Sequence, residues 1–78
     1  MTARPSKPWR LALSTAGAPI YEAHSIRARA DLAAERHIAR IQDGTSRITR
    51  IRLESWGDTA GRWVHHETLW PKDAPLPT

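Results

Sequence analysis

Residues 46–70 read SRITRIRLESWGDTAGRWVHHETLW, and this segment indicates the architecture more strongly than any other part of the chain. Apolar and polar residues alternate on both sides of the central GDTAG, as they do in half-buried strands. The glycines of GDTAG permit the positive φ angles that a tight connection needs. We therefore expect two antiparallel strands, 46–56 and 62–70, that form a hairpin.

Pairing Trp56 with Trp63 gives this hairpin a favourable register. The same register forms two complementary pairs across the strands, Glu54 with His65 and Arg52 with Glu67. The opposite face then carries large apolar side chains, namely Ile51, Leu53, Val64 and Trp70. Because Ile48 is out of phase with Ile51, we expect a β-bulge near Thr49 and Arg50.

The N-terminal third of the chain predicts a second hairpin. The apolar side chains of Trp9, Leu11 and Leu13 alternate with Arg10, Ala12 and Ser14. A turn at Ala16 and Gly17 would bring Leu13 opposite Ile20 on one face. Pro19 lacks an N–H group and restricts the second strand to a sheet edge or to its own first position.

Between the hairpins, the sequence predicts one amphipathic helix that Ser25 caps and Gly44 ends. Its apolar stripe recurs every three or four residues and comprises Ile26, Ala30, Ala33, Ala34, His37, Ile38 and Ile41. One flank carries Arg29, Arg36 and Arg40, and the other carries Arg27, Asp31 and Glu35. The alanine-rich stripe predicts a helix that lies close to the sheet.

The element order is thus ββαββ, which predicts an α+β domain with one antiparallel sheet and one helix packed on one face. We expect this single domain to span residues 9–70. Prolines interrupt both ends of the chain, so residues 1–8 are predicted to be a flexible basic arm and residues 71–78 a proline-rich tail.

The sequence resembles small orphan proteins of actinobacterial phages. The similarity rests on the segment Trp9 to Leu13, the Ala- and Arg-rich helix, RIRLESW at 50–56, GRW at 61–63 and LWP at 69–71. It covers most of the chain, contains no diagnostic motif and transfers no functional residue. The resemblance implies an early or accessory phage gene product.

Composition restricts the classes of function. The chain has 78 residues, a formal net charge of +4 and no cysteine, so its small core forms without disulfides or thiolate-bound metal. Arginine supplies nearly all of the positive charge, a bias that a GC-rich genome also produces. No secretory or membrane-spanning segment is recognisable, and we expect a cytoplasmic protein, in the host cell if a phage encodes it.

No pattern of residues predicts catalysis. The serines lack a nucleophile motif and no glycine-rich phosphate loop precedes the helix, so we expect a protein that is not an enzyme and that uses no cofactor or small-molecule substrate. His65 and His66 are neighbours on a strand and point to opposite faces, which argues against a shared metal ion. We predict that His37 is a hydrogen-bonded histidine at the edge of the core.

Two kinds of binding remain open. Trp56 and Trp63, beside Arg50 and Arg52, lie on the sheet face that the helix cannot cover, and such side chains commonly anchor protein interfaces. We expect the partner to be a host protein or a second copy of the chain. The alternative for these tryptophans is structural, because cross-strand packing or a cluster with Trp9 would also account for them.

The second kind of binding is to nucleic acid. The candidate phosphate contacts are the basic arm and the arginine flank of the helix, that is Arg4, Arg10, Arg29, Arg36 and Arg40. If these arginines formed one continuous face, nucleic acid would be favoured over protein. No membrane partner is expected.

Overall fold

A computed structural model describes residues 5–71 of the chain and confirms the α+β prediction. In chain order, the elements are β1 (Trp9–Ser14), β2 (Ile20–His24), α1 (Arg27–Gln42), β3 (Arg50–Gly57) and β4 (Arg62–Trp70). The arm and the tail proposed for the two ends lie largely outside the described residues.

The four strands form one antiparallel sheet in the order β2-β1-β3-β4. Both β2 and β3 run antiparallel to β1, so they are parallel to each other and β1 lies between them. The chain reaches β3 from β2 through α1, which packs on one face of the sheet and mainly contacts β1 and β2. The other face, which we call the open face, carries no helix among residues 5–71.

The core lies between α1 and the sheet. It is formed by the buried side chains of Leu11, Leu13, Ala30, Ala34, Ile51 and Leu53. Trp9 and Trp70 pack against this cluster from its edges and remain partly exposed. The two buried helix residues are alanines, whose small side chains allow the helix to lie close to the sheet, as predicted.

The ends of α1 match the sequence prediction only in part. The N-cap residue is Ile26, in an extended conformation (φ −138°, ψ 155°), and no side chain caps the helix, so the prediction that Ser25 would do so is wrong. The backbone N–H groups of Arg29 and Ala30 instead donate to the Ile26 carbonyl oxygen. At the C-terminal end, Gly44 has a φ of +79°, as expected of a glycine stop.

The register of the second hairpin is confirmed near its turn and changes farther away. Trp56 pairs with Trp63 and Glu54 with His65, but Arg52 pairs with Thr68 instead of Glu67. Two register shifts cause this change, because β4 contains one extra residue at His66 and another at Leu69. The bulges therefore lie in β4, and the one expected near Thr49 and Arg50 was placed in the wrong strand.

Two details explain how the hairpins close. Leu13 pairs with Ile20 as predicted. In the second turn, Gly61 has a positive φ of 64°, whereas Gly57 permits a close approach, since a Cβ atom there would lie 2.9 Å from Val64 Cγ2. Ile48 precedes β3 and packs on the core from the connecting loop, which is why its phase differs from that of Ile51.

Candidate binding surface on the open face of the sheet

Successive side chains of a strand point to opposite faces of the sheet. The side chains of Leu11, Leu13, Ile51 and Leu53 are buried in the core between the sheet and the helix. Their neighbours point the other way. The larger side chains on the open face are Arg10, Tyr21, Arg50, Arg52, Glu54, Trp56, Trp63 and His65. Ala12 lies on this face between Tyr21 and Arg52 and is fully buried, so the larger side chains cover the centre of the face.

An ion pair occupies the middle of the open face. Arg10 and Glu54 are direct cross-strand partners, and Arg10 Nε lies 2.6 Å from Glu54 Oε1. The side chains of Arg10 and Glu54 are only 21% and 11% exposed, so much of this pair is shielded from water. A charge-assisted hydrogen bond in such surroundings is stronger than one at the surface.

Two aromatic rings enclose the Arg10 guanidinium group. Its Cζ atom lies 4.1 Å from the centre of the Tyr21 ring and 4.4 Å from the centre of the Trp63 ring. Both distances are within the range of cation–π attraction. Trp63 in turn meets Trp56 edge to face, with ring centroids 5.6 Å apart and planes at 79°. The result is a continuous row of side chains with one member from each of the four strands, which we call the aromatic–arginine row: Tyr21, Arg10, Trp63 and Trp56.

The sequence identified only part of this row. The pairing of Trp56 with Trp63 on the open face is confirmed, and both indoles are half-buried. Arg10 and Tyr21 were missed as members of the same surface, although the predicted pairing of Leu13 with Ile20 already assigns both to the face opposite Leu13. Contact between Arg10 and Trp63 also requires β3 to lie beside β1, which no local pattern indicates.

Arg50 and Arg52 lie at the other end of the open face. Arg50 is exposed and Arg52 half-buried, and among residues 5–71 neither forms an ion pair. Glu67, which we expected on this face, lies instead on the helix side, where the register shift at His66 brings it to an ion pair with Arg27. The open face thus has one carboxylate fewer than predicted.

The arginines proposed for nucleic acid do not form one continuous face. Arg29, Arg36 and Arg40 are all exposed on the helix, and in the described part of the chain none of them forms an ion pair. Arg10 lies on the opposite side of the sheet and is bonded to Glu54. Arg4 lies outside the described residues.

A second polar cluster joins α1 to β2. His37 lies at the edge of the core as predicted, with its Nε2 atom 3.1 Å from Glu22 Oε2, and His24 Nε2 lies 2.8 Å from Glu22 Oε1. Partial burial alone would raise the pKa of Glu22, but the hydrogen bonds and positive charge of the two histidines outweigh burial and lower it. The hydrogen bond between His37 and Glu22 links the helix to the edge strand.

The helix and β4 border a groove of about 540 Å³ on the core side of the sheet. Its floor includes Ala34, Ile38 and Leu69, and Arg27 at its rim pairs with both Asp31 and Glu67. Within residues 5–71, no group of three or more histidine, aspartate or glutamate side chains is arranged to hold a metal ion. No helix in that range is long and apolar enough to cross a membrane.

Comparisons with known proteins add no relatives: the chain matches no protein-family model, and neither a curated protein nor a solved structure shows significant similarity.

Proposed function

We propose that this chain is a binding module without catalytic activity and that it engages a protein partner through the open face of its sheet. The observation that carries the proposal is the aromatic–arginine row, in which Tyr21 remains 50% exposed on a face that no helix in the described part of the chain covers. Tyrosine, tryptophan and arginine are the residue types most enriched at the energetic centres of protein interfaces.

Preorganisation supports this role. Arg10 is held by Glu54 and by two rings, so the neighbouring aromatic side chains lose little conformational freedom when a partner packs against them. The structural alternative, in which the tryptophans only stabilise the hairpin, leaves the exposed half of this row without a role. On the resemblance to small phage proteins, we expect the partner to be a host protein.

The proposal can be tested by site-specific photo-crosslinking in the cells that produce the protein. Tyr21 is replaced by p-benzoylphenylalanine, and Leu32 on the outer side of the helix serves as the control, because the two residues are 50% and 51% exposed. We expect a nuclease-resistant crosslink to one protein from position 21 and none from position 32. Crosslinking of the chain to itself would identify a homo-oligomer, and equal crosslinking at both positions would contradict the proposed surface.

Nucleic acid binding stays a second candidate because Arg29, Arg36 and Arg40 form an exposed basic line along one helix flank. Such a line would contact phosphates without reading the sequence of bases. The separation of Arg10 from this flank makes it the weaker candidate.

A further inference from the structure

The open face has an excess of positive charge at one end. It carries three arginines, Arg10, Arg50 and Arg52, against one glutamate, and Arg10 already neutralises Glu54. In the part of the chain that the structure describes, the two remaining guanidinium groups have no carboxylate partner. A partner that covers Arg50 and Arg52 must therefore supply negative charge. Without it, removing the two guanidinium groups from water would cost free energy that no ion pair offsets.

The size of the face suits a single segment of chain. The four strands contain 6, 5, 8 and 9 residues. At about 3.3 Å per residue and about 4.8 Å between strands, they give a projected area of roughly 440 Å². A standard stable interface buries about 800 Å² on each partner. The face is therefore modest in size, and a second copy would add further positive charge to it instead of the negative charge that Arg50 and Arg52 lack. These properties favour a short peptide segment over a second copy of the chain.

The aromatic side chains favour a peptide over single-stranded nucleic acid. Bases bind by stacking on open aromatic faces, but Arg10 already occupies one face each of Tyr21 and Trp63. The edge of one indole is also directed at the other in the pair formed by Trp56 and Trp63. What stays accessible are ring edges and the remaining faces, against which aliphatic or aromatic side chains pack well.

We propose, building on the function proposed above, that the partner binds the open face through a short acidic segment whose carboxylates pair with Arg50 and Arg52, while an apolar side chain several residues farther along the same segment packs on Trp56 and Trp63. Arginine suits this role because its guanidinium group binds a carboxylate through two parallel hydrogen bonds.

A yeast-displayed library of random dodecapeptides, selected against the whole protein, provides the probes. Binding of individual selected peptides is then followed by the indole N–H signals in ¹⁵N NMR spectra. The four tryptophans supply an internal control, because Trp56 and Trp63 lie on the open face and Trp9 and Trp70 pack on the core side. We expect selected peptides to be enriched in Asp and Glu and to shift only the signals of the first pair.

Variants of arginines that lie outside the core test the charge contacts. We expect Arg50→Gln with Arg52→Gln to weaken the selected acidic peptides about ten-fold, or about 1.4 kcal/mol. The matched control, Arg36→Gln with Arg40→Gln, removes the same charge from the helix flank and should leave their affinity unchanged. Equal weakening by both pairs would show a general charge effect and overturn the inference.

The remaining outcomes separate this inference from the proposed function. Peptides that shift Trp56 and Trp63 but show no acidic enrichment would overturn the acidic segment and retain protein binding. A selection in which no peptide shifts these two signals would overturn both. Displacement of the peptides by a random single-stranded DNA dodecamer at equal concentration would assign the face to nucleic acid instead.

Discussion

Replacing Arg10 with methionine tests whether the centre of the open face is built as described. The change keeps an unbranched apolar stem but leaves the Glu54 carboxylate, 11% exposed, without its partner. Removing one partner of a buried ion pair costs about 3–5 kcal/mol. Because the Arg10 side chain is 21% exposed, water can recover part of the loss, and we expect a value near the lower limit, about 3 kcal/mol.

That loss is large for this protein. At 0.05–0.15 kcal/mol per residue, a chain of 78 residues has a free energy of unfolding of about 4–12 kcal/mol. A loss of about 3 kcal/mol would lower the Tm by about 12–24 °C, since each kcal/mol corresponds to about 4–8 °C in a domain of this size. Urea unfolding followed by circular dichroism measures the free energy directly.

A double-mutant cycle with Glu54→Gln isolates the pair itself, and we expect a coupling energy of about 1.5–3 kcal/mol. Arg62→Met is the matched control, because Arg62 is an exposed strand arginine without an ion pair in the described residues, and it should change stability by less than about 0.5 kcal/mol. A coupling energy below about 0.5 kcal/mol, or an Arg10 variant as mild as the control, would refute the enclosed ion pair.

Three further predictions concern other parts of the molecule. Glu22→Gln should destabilise the protein at neutral pH and should destabilise it less in acid. The pKa of Glu22 in the folded state lies below its ordinary value of 4.5. Its ionised carboxylate therefore stabilises the folded protein above pH 4.5, and this stabilisation is lost as the pH falls through the folded-state pKa. Urea midpoints between pH 3 and 7 measure this, and an equal loss at both ends would contradict it. Trp70→Ala should lower the free energy of unfolding by about 3 kcal/mol and Trp63→Ala by about 1–2 kcal/mol, because only Trp70 packs on the core. If urea unfolding gave the opposite order, the two faces of the sheet would be exchanged. If the helix flank contacts duplex DNA, Arg36→Ala with Arg40→Ala should lower the log–log salt slope of binding by about 0.9 for each lost contact, and an unchanged slope would exclude this flank.

Local patterns were sufficient to predict the elements and one half of the candidate surface. Two patterns in the sequence indicate that one face of an element is buried. They are the two-residue alternation around Leu11 and Leu53 and the helical spacing of Ala30 and Ala34. All four side chains are buried in the core of the structure, which confirms the prediction. Likewise, the turn at residues 57–61 sets the pairing of Trp56 with Trp63 without reference to the rest of the chain.

The sequence did not indicate the two β-bulges of β4. Nothing in VHHETLW distinguishes a regular strand from one with extra residues at His66 and Leu69, because a bulge is selected by how the strand must curve over its neighbours. Its consequence is chemical, since it turns Glu67 toward Arg27 and leaves Arg52 without that carboxylate.

The amino-acid sequence by itself thus determined the element types, their order along the chain, the pairing of each hairpin next to its turn and the face on which two tryptophans lie. Only the tertiary structure decided that β3 lies beside β1, and with it that Arg10 meets Glu54 and the ring of Trp63. The physical reason is one of range. Periodicity and turn chemistry act between residues close in sequence, whereas the choice of neighbouring strand depends on how the buried faces of distant segments pack together around one helix.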